Sequence, residues 1–238
     1  MIVEELIEYE HNGALLEGFL AYDDAGKGPR PAVLISHAWG GRGDFECNKA
    51  RELAGLGYAG FALDLFGKGV LGSGPEENSK LIEPFLKDRA MLQSRMTLSL
   101  ETMCAQSVVD EGKVAAIGFC FGGLCVLDLA RIGTDIRGVV SFHGPFASPG
   151  NTAGTAIKAK VLVLHGHEDP MVPVDDVVTL EKELTEAGAD WQIHVYGRTM
   201  HAFTNPQAND PGFGAVYNAD AGRRSRQSLL NFLDEVFA

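Results

Sequence analysis

The 238-residue chain has no C-x-x-C pair among its four cysteines, Cys47, Cys104, Cys120 and Cys125. That lack argues against zinc-ribbon and dithiol-redox chemistry and leaves free thiols in a reducing compartment. No apolar run reaches the roughly 18–20 residues of a membrane span. Positive charge is scarce: 20 Lys and Arg face 32 Asp and Glu, for a formal net charge of −12. Like-charge repulsion then opposes non-specific binding to nucleic acid or to an anionic membrane. The start, Met1-Ile2-Val3-Glu4-Glu5, lacks the basic residues and apolar stretch of a signal peptide, so the expected location is cytoplasmic. There is no linker rich in Pro, Ser or charge, and the expected organisation is a single domain over residues 1–238.

Apolar material is ample, at 45% of residues against 22% charged, enough for a sizeable core. Two alternating segments near residues 2–9 and 13–22 flank His11-Asn12-Gly13. They predict an antiparallel hairpin, since Asn-Gly suits a tight turn with positive φ. Beyond a loop from Gly26 to Pro31 come short apolar runs at Ala32–Ser36, Ala59–Leu63, Val114–Ile117, Gly138–Phe142, Val161–Leu164 and Trp191–Val195. Continuous runs of this length suit parallel strands buried on both faces. Helical stretches are predicted near residues 45–56, 80–108, 122–132, 175–187 and 219–237. The alternation predicts an α/β fold: a mostly parallel central sheet with an N-terminal antiparallel hairpin and helices on both faces. Sites in such sheets lie beyond the C-terminal ends of the strands.

Cys120 follows the run Val114–Ile117 and opens a helical stretch, within Gly118-Phe119-Cys120-Phe121-Gly122-Gly123. A nucleophile on a tight strand-to-helix turn needs small residues two positions away on each side, and Gly118 and Gly122 supply them. The helix N-terminus favours an anion, and its N–H groups stabilise a thiolate. By composition, G-x-C-x-G should occur by chance about 0.06 times in such a chain; its placement between strand and helix adds more than the motif itself. The bland alternative is a small buried thiol, which is the default for Cys104 and Cys125.

A thiol nucleophile needs a base, and the base an orienting acid, in the chain order nucleophile, acid, His. Asp169 follows the run Val161–Leu164 in His165-Gly166-His167-Glu168-Asp169-Pro170, and His201 follows Trp191–Val195. Glu168 is the alternative acid. His11 falls in the hairpin and His194 inside a strand. His165 and His167 precede the acid, and His143 follows another strand, so none meets the order as His201 does. Two oxyanion donors are expected from backbone N–H groups, at Phe121 and at Ala38 in Ser36-His37-Ala38-Trp39-Gly40-Gly41. Trp39 packs in that loop or lines the site.

The elbow around Cys120, His165-Gly166-x-x-Asp169-Pro170-x-Val172-Pro173, His201-Ala202-Phe203-Thr204-Asn205-Pro206 and Asp64-Leu65-Phe66 together resemble the dienelactone hydrolases, of the α/β-hydrolase superfamily, over nearly the whole chain. The resemblance implies Cys120 as nucleophile, Asp169 as orienter and His201 as base. It also implies hydrolysis of an enol-lactone or related small ester through a thioester, without metal or other cofactor, by a monomer or small homo-oligomer. Where the family's enzyme on chlorinated dienelactones has a glutamate facing the resting thiol, this chain has His37. Where that enzyme has two arginines for the substrate carboxylate, it has Lys68 and Asn205. Candidate substrate-binding residues are therefore His37, Trp39, Lys68, Phe203 and Asn205. A thioesterase or short-chain carboxylesterase on the same residues, and a non-catalytic thiol-sensing or binding protein, are the competing readings. A peptidase is disfavoured, since the chain has no room for a propeller or large cap.

Overall fold

The computed structural model describes Met1–Ala238, and the chain divides into two compact units, Met1–Ile117 and Gly118–Ala238. The first opens on β1 (Ile2–His11) and β2 (Ala14–Asp23), an antiparallel hairpin with His11 opposite Ala14 and Glu8 opposite Glu17. Its turn is made by Asn12 at φ 52° and Gly13 at φ 79°, the pair of left-handed residues that the expected Asn-Gly turn demands. β3 (Arg30–Ser36) runs parallel to β4 (Ala59–Ala62), and β2 runs antiparallel to β4. α1 (Asp44–Ala54) connects β3 to β4 and packs back on β4.

The helical stretch expected over residues 80–108 is instead two helices, α2 (Pro75–Lys87) and α3 (Arg89–Cys104). Asp88 divides them: its backbone leaves helical geometry, and its side chain accepts from the Met91 N–H as the N-cap of α3. Pro75 at the first turn of α2 starts that helix earlier than the apolar pattern does. β5 (Val109–Phe119) crosses from the first unit into the second. Its leading residues, Asp110 to Lys113, are polar and largely solvent-facing, which hides half the strand from an apolar-run reading.

The second unit holds α4 (Phe121–Arg131), β6 (Gly138–Phe142), β7 (Lys160–Gly166), α5 (Val174–Glu186), β8 (Trp191–Tyr196), a two-residue ribbon of β9 (Asn209–Asp210) and β10 (Ala215–Val216), and α6 (Ala219–Phe237). β6, β7 and β8 pair in parallel in that order. Every residue of α4 is buried, as expected of a helix apolar nearly all round. No helix is long and apolar enough to cross a membrane.

Candidate active site

Gly118 lets the turn between β5 and α4 close, and Gly123 lets the start of α4 pack against β6. A Cβ on Gly118 would lie 1.9 Å from the Gly122 carbonyl oxygen, and one on Gly123 would lie 2.5 Å from the Ser141 hydroxyl. Between them Cys120 sits at the N-cap of α4 with φ 54° and ψ −119°. A non-glycine residue in that region carries strain on the order of 1–3 kcal/mol and persists only where its surroundings fix it. Here they do: the Cys120 N–H donates to the Phe142 carbonyl at 3.0 Å and to Nδ1 of His143 at 3.2 Å. The thiol is only partly covered and stands at the positive end of a helix dipole, where an anion is favoured.

Asp169, in the loop after β7, is buried, and its Oδ2 accepts from Nδ1 of His201 at 2.7 Å. Its other oxygen accepts from the Met171 N–H at 2.9 Å. Glu168, the alternative acid, points to solvent. His201 lies beyond β8 and is pinned through its backbone: its N–H donates to Gly214 O at 2.9 Å, and its carbonyl accepts from Val216 N at 3.0 Å. Nε2, on the far side of the ring from Asp169, is buried and has no hydrogen-bond partner. Burial opposes the charged imidazolium, but the charge of Cys120 and the bond to Asp169 outweigh it and push the pKa up to about 10. Cys120 thus acts on His201 first through its charge and then as a hydrogen-bonding neighbour, and the charged imidazolium is favoured beside it.

The remaining candidates of this unit are placed differently. Phe121 begins α4 and is buried. Phe203 is fully buried and packs edge-on against Tyr196 and His143, with centroids 5.6 and 5.2 Å apart. Asn205 uses its side-chain oxygen on the Gln207 N–H.

In the first unit, the Ala38 N–H donates to Oε1 of Glu46 at 3.3 Å. Glu46 is buried, and burial raises its pKa. His37 is buried with both ring nitrogens committed: Nδ1 donates to Ala38 O at 2.7 Å, and Nε2 accepts from the Leu65 N–H at 3.1 Å. Burial holds its pKa below the ordinary value. Trp39 is half-buried in the same loop. Lys68 is engaged by two carboxylates, Glu8 and Glu17, the latter at 2.9 Å. Asp64 closes the turn Asp64-Leu65-Phe66: its Oδ1 accepts from the N–H groups of Phe66 and Gly67 at 2.9 and 3.0 Å.

Two features of this unit had no part in the expected site. One is the β9–β10 ribbon that holds His201 through Gly214 and Val216. The other is His143, set aside because it follows β6 rather than β8, whose ring stands 5.0 Å from that of His201. Its position directly after a strand was the available signal. No group of three or more His, Cys, Asp or Glu side chains is arranged to hold a metal ion.

The family model for the dienelactone hydrolases matches residues 16–237. Among solved structures, m3DLH superposes with a TM-score of 0.93 at 35% identity, covering 100% of this chain and 99% of that one. The dienelactone hydrolase-like promiscuous phosphotriesterase P91 from metagenomic libraries gives 0.93 at 34%, with the same coverage. A putative carboxymethylenebutenolidase of Aquifex aeolicus is 28% identical over 235 residues, 96% of each chain. The α/β-hydrolase-type sheet with its N-terminal antiparallel strands agrees with these neighbours, and the chain belongs to the dienelactone hydrolase family and is a carboxylic ester hydrolase.

Proposed function

We propose that the protein hydrolyses a small carboxylic ester or lactone through a thioester on Cys120, with His201 as the proton carrier and Asp169 as its orienting acid. The observation that carries this reading is the 2.7 Å bond from His201 Nδ1 to Asp169, which turns the unpartnered Nε2 away from the acid on a ring whose charge responds to Cys120.

In the first half, Sγ of Cys120 bonds to the carbonyl carbon and the carbonyl electron pair moves onto oxygen. The Phe121 N–H, at the first turn of α4, donates to that oxyanion. The tetrahedral species collapses, the C–O bond to the alkoxy group breaks, and the imidazolium of His201 delivers its proton to the leaving oxygen. For a lactone, that oxygen stays tethered as the ring opens. In the second half His201 takes a proton from water, the hydroxide adds to the thioester carbon, and the Cys120 thiolate leaves the carboxylic acid product.

The test is Cys120→Ala with a panel of a lactone, an aryl ester and an acyl thioester. An aryl phosphotriester joins them because P91, 34% identical, is titled a phosphotriesterase. The expected result is loss of about 10³-fold or more of turnover on whichever substrate the wild type cleaves, and an acyl adduct on Cys120 of the wild type after acid quench. Full activity in Cys120→Ala would overturn the reading. Iodoacetamide labelling of Cys120 without turnover of any panel member would favour a thiol-sensing protein.

A further inference from the structure

The imidazole of His143 bridges the two halves of this chemistry without belonging to either. Its backbone is left-handed at φ 41°, an uncommon conformation for a non-glycine residue. That turn swings the side chain back toward Cys120. Nδ1 accepts from the Cys120 N–H at 3.2 Å, and Nε2 meets the Thr204 hydroxyl at 2.9 Å. The ring lies edge-on to His201 at 5.0 Å and to Phe203 at 5.2 Å and is buried.

These partners fix its proton. A nitrogen that accepts from an N–H carries no hydrogen, so the neutral ring holds its proton on Nε2 and donates it to Thr204. Thr204 sits three residues after His201, in the loop that carries the base. A continuous path therefore runs from the nucleophile's amide, through one rigid ring, to the base's loop. A protonated ring would lose the bond to Cys120 and would set a second cation 5.0 Å from His201.

We propose that His143, as the neutral Nε2–H tautomer bonded to the Cys120 amide and the Thr204 hydroxyl, is a positioning residue that holds the thiol and His201 in register. Burial, and then the nearby His201, push its pKa well below the ordinary value, so the ring keeps the tautomer that the two bonds require. The inference rests on the reading of Cys120 as nucleophile and His201 as base. It adds that the register between them is set by a third side chain, which touches neither substrate nor reacting atoms.

The experiment compares kcat, KM, thermal midpoint and the rate of Cys120 alkylation by iodoacetamide in wild type, His143→Phe, His143→Asn, Thr204→Val and the double variant His143→Phe/Thr204→Val. A displacement of an ångström at a reacting centre costs on the order of 100-fold. His143→Phe, which keeps a ring but neither nitrogen, is accordingly expected to lower kcat about 10- to 100-fold, with KM within about threefold. His143→Asn puts an amide oxygen near the place of Nδ1 and is expected to recover at least about threefold of that loss. Thr204→Val should lower kcat alone but add little to His143→Phe, because the hydroxyl acts through the ring.

The inference is overturned if His143→Phe keeps kcat and the alkylation rate within twofold of wild type, or if the Thr204→Val loss adds in full to it. If His143→Phe does not fold, Asn and Val decide: both within twofold of wild type overturns the inference. Cys120→Ala on the same substrate separates the two claims. An inactive Cys120→Ala with an unimpaired His143→Phe sinks only the role of His143, whereas an active Cys120→Ala sinks the mechanism beneath it.

Discussion

Gly118 has no room for a side chain, because the next turn of backbone occupies the space. An added Cβ would lie 1.9 Å from Gly122 O and 2.8 Å from Gly123 N, and these are main-chain atoms of a buried helix that cannot rotate aside. Gly118→Ala is expected to destabilise the protein by about 3 kcal/mol, the upper end of the usual overpacking cost. It should also slow Cys120 alkylation as the elbow opens. Urea unfolding and labelling on the same variant check this, and an unchanged midpoint with wild-type labelling would contradict it. Two placements at this scale were legible in residue type, strand ends and chain order: Cys120 at the start of α4, and Asp169 against His201. His143 was not, because its role depends on a left-handed φ of 41° that no local pattern announces. Nor were the bonds that commit His37 and Lys68 to backbone and to carboxylates.

Among elements, the hairpin shows how register decides what a charge can do. A two-residue Asn-Gly turn sets Glu8 opposite Glu17, and like charges facing each other across strands repel. Lys68 lies against both, so a residue that reads in sequence as a free cation is spent on the hairpin. The pairing follows from the turn, and was derivable; the arrival of Lys68 from beyond β4 was not. The break at Asp88 had a local signal, a capping residue inside a continuous apolar pattern, which the pattern outweighed. α4 and α5 are joined by contacts with no local signal. Arg131, nearly fully buried, donates through Nε and Nη2 to Glu183, at 2.8 Å each, and through Nη1 to Asp128 at 3.2 Å. It also donates to Phe146 O at 2.7 Å and Ala147 O at 3.2 Å. Arg131→Ala removes a buried cation from two carboxylates and two backbone carbonyls at once and is expected to cost about 3–5 kcal/mol, the usual result of removing one partner of a buried pair. A urea unfolding curve reads this directly. A loss below about 1 kcal/mol would mean that the network relaxes onto other partners, contrary to a tightly fixed cluster.

For the whole molecule, the buried histidines make stability depend on pH in one direction below neutrality. His37 and His143 are held below the ordinary imidazole pKa, in each case first by burial, and His165, buried after β7, is shifted the same way. In the unfolded chain each titrates near 6.5. Below that pH the unfolded chain takes up protons that the fold does not, so the free energy of unfolding falls as pH falls. Each such group contributes at most about 1.4 kcal/mol per pH unit. Glu46 works in the opposite sense: burial raises its pKa, so the fold holds a proton there that the unfolded chain releases above its ordinary carboxylate range, and acid favours the fold. One such carboxyl offsets only part of the imidazole effect. His201 does not add to the acid loss, because its pKa is raised to about 10 and its contribution is complete below 6.5, fading only as pH climbs through the folded value. The expected outcome is a drop in unfolding free energy of roughly 2 kcal/mol between pH 7.0 and pH 5.5, measured by urea titration at fixed ionic strength. The drop should persist in Cys120→Ala, since none of the three histidines depends on that thiol for its burial. A stability that is flat or rising from pH 7.0 to pH 5.5 would overturn this, since on His37 and His143 the lone pair that a proton would need already accepts from the Leu65 and Cys120 N–H groups.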